Sequence, residues 1–233
     1  MPPPTGPIDR DKLRAAIHRQ PPEYHLYLLD DALELLTPAQ LEQVAGKYIE
    51  LAPLRAEGGV GQPAALLAQV QAFERASLAG EYYEDFRVDS HNCTAKSTGT
   101  SAFISDFHRH LDRCVAAAAG SQAGAERAEV CQAFEVLFGL LDEIDKWEKD
   151  IVFFADEGGA WQVNVRWEAV LPAWFGPLSQ TADAEVYAAR VVWMLERHCA
   201  YAAAKLLAEA AQAGTPAQRQ ALERAAAGRG LGR

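Results

Sequence analysis

The chain has 233 residues, 49% of them apolar, and a formal net charge of −10. That length allows one large or two small domains with a core that folds without staples, and the apolar content excludes general disorder. No apolar run approaches the roughly 18 residues of a membrane span, and the opening MPPPTGPIDRDKLR lacks a signal-peptide layout.

Residues 1–8 are Pro-rich and read as a disordered N-terminal segment. Asp9 or Asp11 can cap a first helix reaching Gln20, which Pro21 and Pro22 end. Glu23 to Leu36 carries Leu26, Leu29, Leu33 and Leu36 at helical spacing, and Thr37-Pro38 starts a third helix toward Leu51. Glu57 to Gly61 is a turn, and residues 57–62 mark a place where the domain can subdivide. A fourth helix from Pro63 repeats Leu66, Val70 and Phe73 and is expected to pass Gly80 to Tyr83 or Phe86.

Asp89 to Gly99 is polar and reads as a loop, with Thr100 or Ser101 capping a fifth helix through Phe103, Phe107, Leu111 and Cys114. Ala125 to Trp147 has the cleanest apolar face of the chain: Val130, Phe134, Leu137, Phe138, Leu141 and Ile144. Asp183 can cap a long helix to about Ala213, and Gly214-Thr215-Pro216 restarts the chain into a last helix over 217–227. Residues 228–233 read as a frayed basic tail.

Between these helical patterns lies Asp150–Phe175, with three of the five Trp residues and the one strand-like alternation. Ile151–Phe154 is a buried-type apolar run, Trp161, Val163 and Val165 alternate with polar residues, and Asp156-Glu157-Gly158-Gly159 suits a hairpin loop. The expectation is a β-hairpin near 151–165 with Trp161 and Trp167 turned to the core and an exposed tip. Trp167 to Trp174 then reads as a short helix ended or kinked at Pro172. The fold class is mainly α: an irregular antiparallel bundle or helical-hairpin array over 9–227, with that small β insertion.

The segments EYYEDFRVDSHN (Glu81–Asn92), FFADEGGAWQVNVRW (Phe153–Trp167) and AWF (Ala173–Phe175) together resemble a family of uncharacterised bacterial helical proteins. The resemblance spans about residues 80–195. It implies a bacterial source and attaches no activity, cofactor or catalytic residue.

Charge is unevenly placed. Glu126 to Glu185 holds 13 acidic against 4 basic residues, whereas Arg219, Arg224, Arg229 and Arg233 face only Glu223 near the C-terminus. The plain reading of the acidic excess is solubility; the sharper one is a basic partner. A nucleic-acid partner is disfavoured, because such a protein needs a basic face and only a short basic tail is offered.

No catalytic constellation stands out. The mixed segment Glu81–Thr100 holds Tyr82, Tyr83, Arg87, Asp89, His91, Asn92 and Lys96, a plausible recognition surface on a loop. Lys96-Ser97-Thr98-Gly99 precedes a helix start that could hold an anion, but the phosphate-loop spacing is missing. His108 and His110 sit two apart on a helix, so they face different ways; Asp106 with His110, or His108 with Asp112, has usable spacing, yet no metal motif is complete. Cys93 near His91 is an ordinary loop thiol unless a base reaches it. The four cysteines (Cys93, Cys114, Cys131, Cys199) have no CxxC and are expected to be reduced. The leading expectation is a non-enzymatic, cytoplasmic protein-interaction or regulatory module that needs no cofactor or metal. The alternative is a small-molecule- or anion-binding enzyme with a pocket between the Glu81–Thr100 loop and the hairpin tip at Asp156, Glu157 and Trp161.

Overall fold

A computed structural model describes residues 9–21, 24–25, 28–29, 32, 36, 38–50, 63–90, 92–120, 124–155 and 158–231. The chain divides into two compact units, Met1–Gly58 and Gly59–Arg233.

In the first unit, α1 (Arg10–Ile17) is capped by Asp9, whose carboxylate accepts from the backbone N–H groups of Asp11 and Lys12. The His25 ring bonds the Ile17 carbonyl at 2.8 Å. Helix α2 (Pro38–Ala45) ends in a turn closed by Tyr48 and Ile49 N–H on the Ala45 carbonyl. Of the expected Glu23–Leu36 helix, Tyr24, His25, Leu28, Leu29, Ala32 and Leu36 are described; the first five are helical and Leu36 lies in a bend. Thr37 and the turn at Glu57–Gly61 lie outside the described residues.

The second unit contains α3 (Pro63–Leu78), α4 (Thr98–Gly120), α5 (Gly124–Lys146), α6 (Trp167–Thr181), α7 (Ala184–His198), α8 (Ala203–Ala213) and α9 (Pro216–Arg229). The mainly α fold expected from the patterning is what forms. Helix α5 is the central strut, flanked by α3, α4 and α6. Its expected face is its buried one: Val130, Phe134, Leu137, Phe138, Leu141 and Ile144 are all 5% exposed or less. Each such side chain contributes about 1.5–3 kcal/mol relative to exposure, which is why this stripe organises the unit. Helix α6 packs against α4, α5, α7 and α8, and so joins the α3–α5 group to the α7–α9 group.

Several boundaries differ from expectation. Helix α3 stops at Leu78 because Gly80 turns left-handed (φ +80°), with Glu81 N–H reaching back to the Ala76 carbonyl and Gly80 N–H to Ser77. Helix α4 starts at Thr98, with Ser97 Oγ accepting from the Thr100 N–H, so neither Thr100 nor Ser101 is its cap. Helix α6 runs through Pro172 and Pro177 to Thr181. A helix-interior Pro costs about 3 kcal/mol, offset here by burial of Leu171, Trp174, Phe175 and Leu178. The expected 183–213 helix breaks at Cys199 (φ −138°, ψ 30°), and a 3₁₀ turn over Ala200–Ala202 leads into α8. Asp183 caps α7, and Thr215 with Gln218 forms a capping box on α9.

The β-hairpin is not formed: there is no strand among the described residues. Phe154 makes an isolated antiparallel bridge with Lys96, so the apolar run pairs with the Glu81–Thr100 loop and not with the chain that follows. Ala160–Val163 is a 3₁₀ turn closed by Asn164 in the left-handed region (φ 58°). Side chains take the groups a ladder would use. The Asp145 carboxylate accepts from the Ala160 N–H at 2.7 Å, and His108 Nε2 binds the Val163 carbonyl at 2.7 Å. The three-residue period buries Ala160 and Val163 and leaves Trp161 outward, 73% exposed, which corrects its expected place in the core. Asp156 and Glu157 lie outside the described residues.

Candidate functional site

The expected pairing of the Glu81–Thr100 loop with the following segment is only partly seen. Its described residues meet Ile151–Phe154. Thr100 Oγ donates to the Phe153 carbonyl at 2.9 Å and accepts from the Phe153 N–H at 3.2 Å. The rings of Tyr83 and Phe86 stand edge-on to Phe153, at 6.2 and 5.1 Å. Trp161, the described member of the 156–161 tip, lines a different cleft.

The individual candidates are placed as follows. Tyr82 donates to Asp106 at 2.7 Å and packs against Phe73 and Phe103; burial and the Asp106 hydrogen bond push its phenol up to about 12. Asn92 organises a turn, accepting from the Asp89 N–H and donating to the Arg87 carbonyl. Arg87, Asp89 and Lys96 are exposed. His91 lies outside the described residues. Among the described residues no group of three His, Cys, Asp or Glu side chains gathers around a metal-sized space. His110 is buried beside Phe73, and burial with the Arg109 and Arg113 charges lowers it to about 4. The Cys114 and Cys131 thiols are buried, and burial raises both. All four cysteines are unbridged.

The best-formed concavity near Trp161 is a cleft of about 360 Å³ where α5, the 3₁₀ turn and the end of α7 meet. Trp161, Trp167, His198 and Tyr201 supply its rings, with Asp145 and Arg197 on the same wall. His198 stacks on Trp167 at 4.3 Å and 22°, and Trp193 stands edge-on to it at 6.2 Å. Burial first, then the Arg197 charge, lower His198 to about 4, so the imidazole is neutral at pH 7. Arg197 bridges two carboxylates, Asp142 at 2.9 Å and Asp145 at 2.8 Å. Asp145 thereby holds both the 3₁₀ turn and α7. Its carboxylate lies so close to Gly159 that a Cβ there would come within 2.5 Å of Oδ1, so the turn requires glycine. Tyr201 is 76% exposed, whereas the stacked His198 and Trp167 are half-buried.

The sequence pointed to Trp161 alone among these as a site residue. Asp145, Arg197, His198 and Tyr201 were missed because they sit inside or just beyond helical patterns, where charge reads as a wet face. One signal existed: the run Arg197-His198-Cys199-Ala200-Tyr201 interrupts an alanine-rich helical stretch with ring-bearing and polar residues.

Comparison with protein-family models, curated proteins and solved structures found no match. No described helix is long and apolar enough to cross a membrane.

Proposed function

We propose that the protein is a non-enzymatic, cytoplasmic interaction module that receives a protein partner at the aromatic cleft of its second unit. One observation carries the reading: Trp161 and Tyr201, 73% and 76% exposed, flank a preformed cleft. Trp, Tyr and Arg are the residue types that dominate binding hot spots, and a large ring held in water gains most when a partner covers it. The partner's contacting side chain is basic. The open indole and phenol faces of Trp161 and Tyr201 attract cations, and Asp145, paired with Arg197, is a carboxylate of the same cleft.

The test is site-specific photocrosslinking in the source organism, with p-benzoylphenylalanine at position 161 or 201 and a control at Tyr48, which is 85% exposed in the first unit. The expected result is one polypeptide captured from 161 and 201 and not from 48. Its purified form should then bind the Trp161→Ser, Tyr201→Ser double variant at least about tenfold more weakly, a loss of about 1.4 kcal/mol. Equal capture from all three positions, or undiminished affinity of the double variant, would refute the reading.

The alternative, a small-molecule- or anion-binding enzyme near the Glu81–Thr100 loop, has one observation behind it: the Tyr83 and Phe86 rings converge on Phe153 beside exposed Lys96. It predicts a saturable phosphate- or carboxylate-induced shift of the Lys96 and Gly99 amide resonances.

A further inference from the structure

The aromatic cleft is rich in rings and poor in free hydrogen-bond acceptors. Trp161, Trp167, His198 and Tyr201 line it, and the high exposure of Trp161 and Tyr201 leaves their rings open to an incoming group. Among the described lining residues Asp145 is the sole carboxylate, and both its oxygens are engaged: Oδ1 by the Ala160 N–H at 2.7 Å, Oδ2 by Arg197 at 2.8 Å. Arg197 is shared between Asp145 and Asp142, so this cluster keeps a net negative charge that favours a cation. His198, neutral at pH 7, adds no positive charge of its own.

Such a cleft separates one kind of cation from another. A lysine ammonium and an arginine guanidinium both carry several N–H donors, and each donor taken out of water without an acceptor is costly. A trimethylammonium group keeps the charge and has no donor to satisfy, so ring faces within about 6 Å hold it by themselves. The cleft also has room for more than that head group. Its volume of about 360 Å³ lies in the roughly 300–1,000 Å³ range of ligand pockets, so an aliphatic stem enters as well and covers apolar surface. Resting on the partner reading above, we propose that the group the partner inserts into this cleft is a trimethylated lysine, with its quaternary nitrogen among the rings of Trp161, Trp167 and Tyr201.

The test uses the full chain and follows the Trp161 indole N–H resonance, assigned by its loss in Trp161→Phe. N-acetyl-trimethyl-lysine amide is expected to shift it saturably below about 10 mM, at least about tenfold more tightly than N-acetyl-lysine amide or the neutral analogue with carbon in place of the quaternary nitrogen. Tyr201→Phe, which keeps a ring, should bind within about twofold of the unsubstituted chain, and Tyr201→Ser at least about fivefold more weakly. Equal affinity for the three amides, no saturable shift, or an unaffected Tyr201→Ser overturns the proposal. Choline binding as tightly as the trimethyl-lysine amide overturns the lysine source, because the stem would then contribute nothing. Photocrosslinking at 161 and 201 keeps this inference distinct from the partner reading. A polypeptide captured at both positions, with no preference for the trimethylated amide, sinks the inference and leaves that reading standing. No capture removes that reading and the protein source with it.

Discussion

Thr100 shows how one hydroxyl can stand in for a strand partner. Its Oγ donates to the Phe153 carbonyl, accepts from the Phe153 N–H, and accepts from the Ser97 hydroxyl at 3.0 Å, all at a fully buried position. Thr100→Val keeps the shape and removes these bonds. It is expected to cost about 1–3 kcal/mol, read as a lower urea midpoint, because the Phe153 backbone groups are left unpaired. A midpoint unchanged within error would show that the Ile151–Phe154 run is held by its apolar contacts alone. His110 and His198 act on stability through pH. Burial lowers both from the usual 6.5 to about 4. Below about 6.5 the unfolded chain takes up protons that the folded one refuses, so the unfolded state binds more protons between about 6.5 and 4. Their contribution is therefore complete above about pH 6.5 and is lost as pH falls through that window. His198→Phe keeps the stack on Trp167 and should flatten the fall in urea midpoint between about pH 7 and pH 5. An unaltered slope would place the pH dependence elsewhere.

At the scale of elements, ends matter more than interiors. Gly80 ends α3 in a left-handed turn with the Asp150 carbonyl 3.2 Å from where a Cβ would sit. Gly80→Ala should destabilise by about 1–2 kcal/mol. Gly228, inside α9 with open space around it, should respond with the opposite sign: Gly228→Ala is expected to stabilise by about 0.5–1 kcal/mol. Thermal denaturation of the two variants side by side checks the pair, and a common sign would contradict the assignment. The capping box of α9 does more than cap. Gln218 is 3% exposed and donates to the carbonyls of Ser179 and Ala182, so the start of α9 is tied to the end of α6. Tyr187 likewise crosses from α7 to the Ala210 carbonyl at 2.7 Å, meeting the end of α8.

Over the whole molecule, the uneven charge of the sequence is largely internal to the second unit. Glu135 pairs with Arg190, Asp142 and Asp145 with Arg197, Glu168 with Lys205, Glu185 with Arg224, and Glu196 with Arg229. Two arginines of the basic C-terminal stretch, Arg224 and Arg229, thus pair with glutamates of α7. Exposed pairs of this kind contribute only about 0–1 kcal/mol each, so they orient α7–α9 more than they stabilise them. Among the described residues, the hydrophobic cluster runs from Leu66 to Ala226, inside the second unit. A fragment of residues 59–233 is therefore predicted to unfold cooperatively, with a urea midpoint close to that of the full chain. A fragment without a cooperative transition would show that the first unit is required.

The sequence by itself determined the helices with a clear stripe and a clear cap. The α5 face, the Asp183 cap, a first helix starting at Asp9 or Asp11, the restart at Gly214-Thr215-Pro216 and the mainly α class were all legible, because helix period and capping are local chemistry acting within a few residues. It could not determine the 151–165 chain, where an alternating pattern became a 3₁₀ turn. That outcome depended on Asp145 and His108, 15 and 55 residues away, taking backbone groups that a hairpin would have paired. The cleft was hidden for the same reason: Asp145, Trp161, Trp167, His198 and Tyr201 come together only when α5 and α7 pack around α6. Side-chain hydrogen bonds and packing between distant elements leave no periodic trace in the chain, so only the tertiary structure decided where its functional surfaces lie.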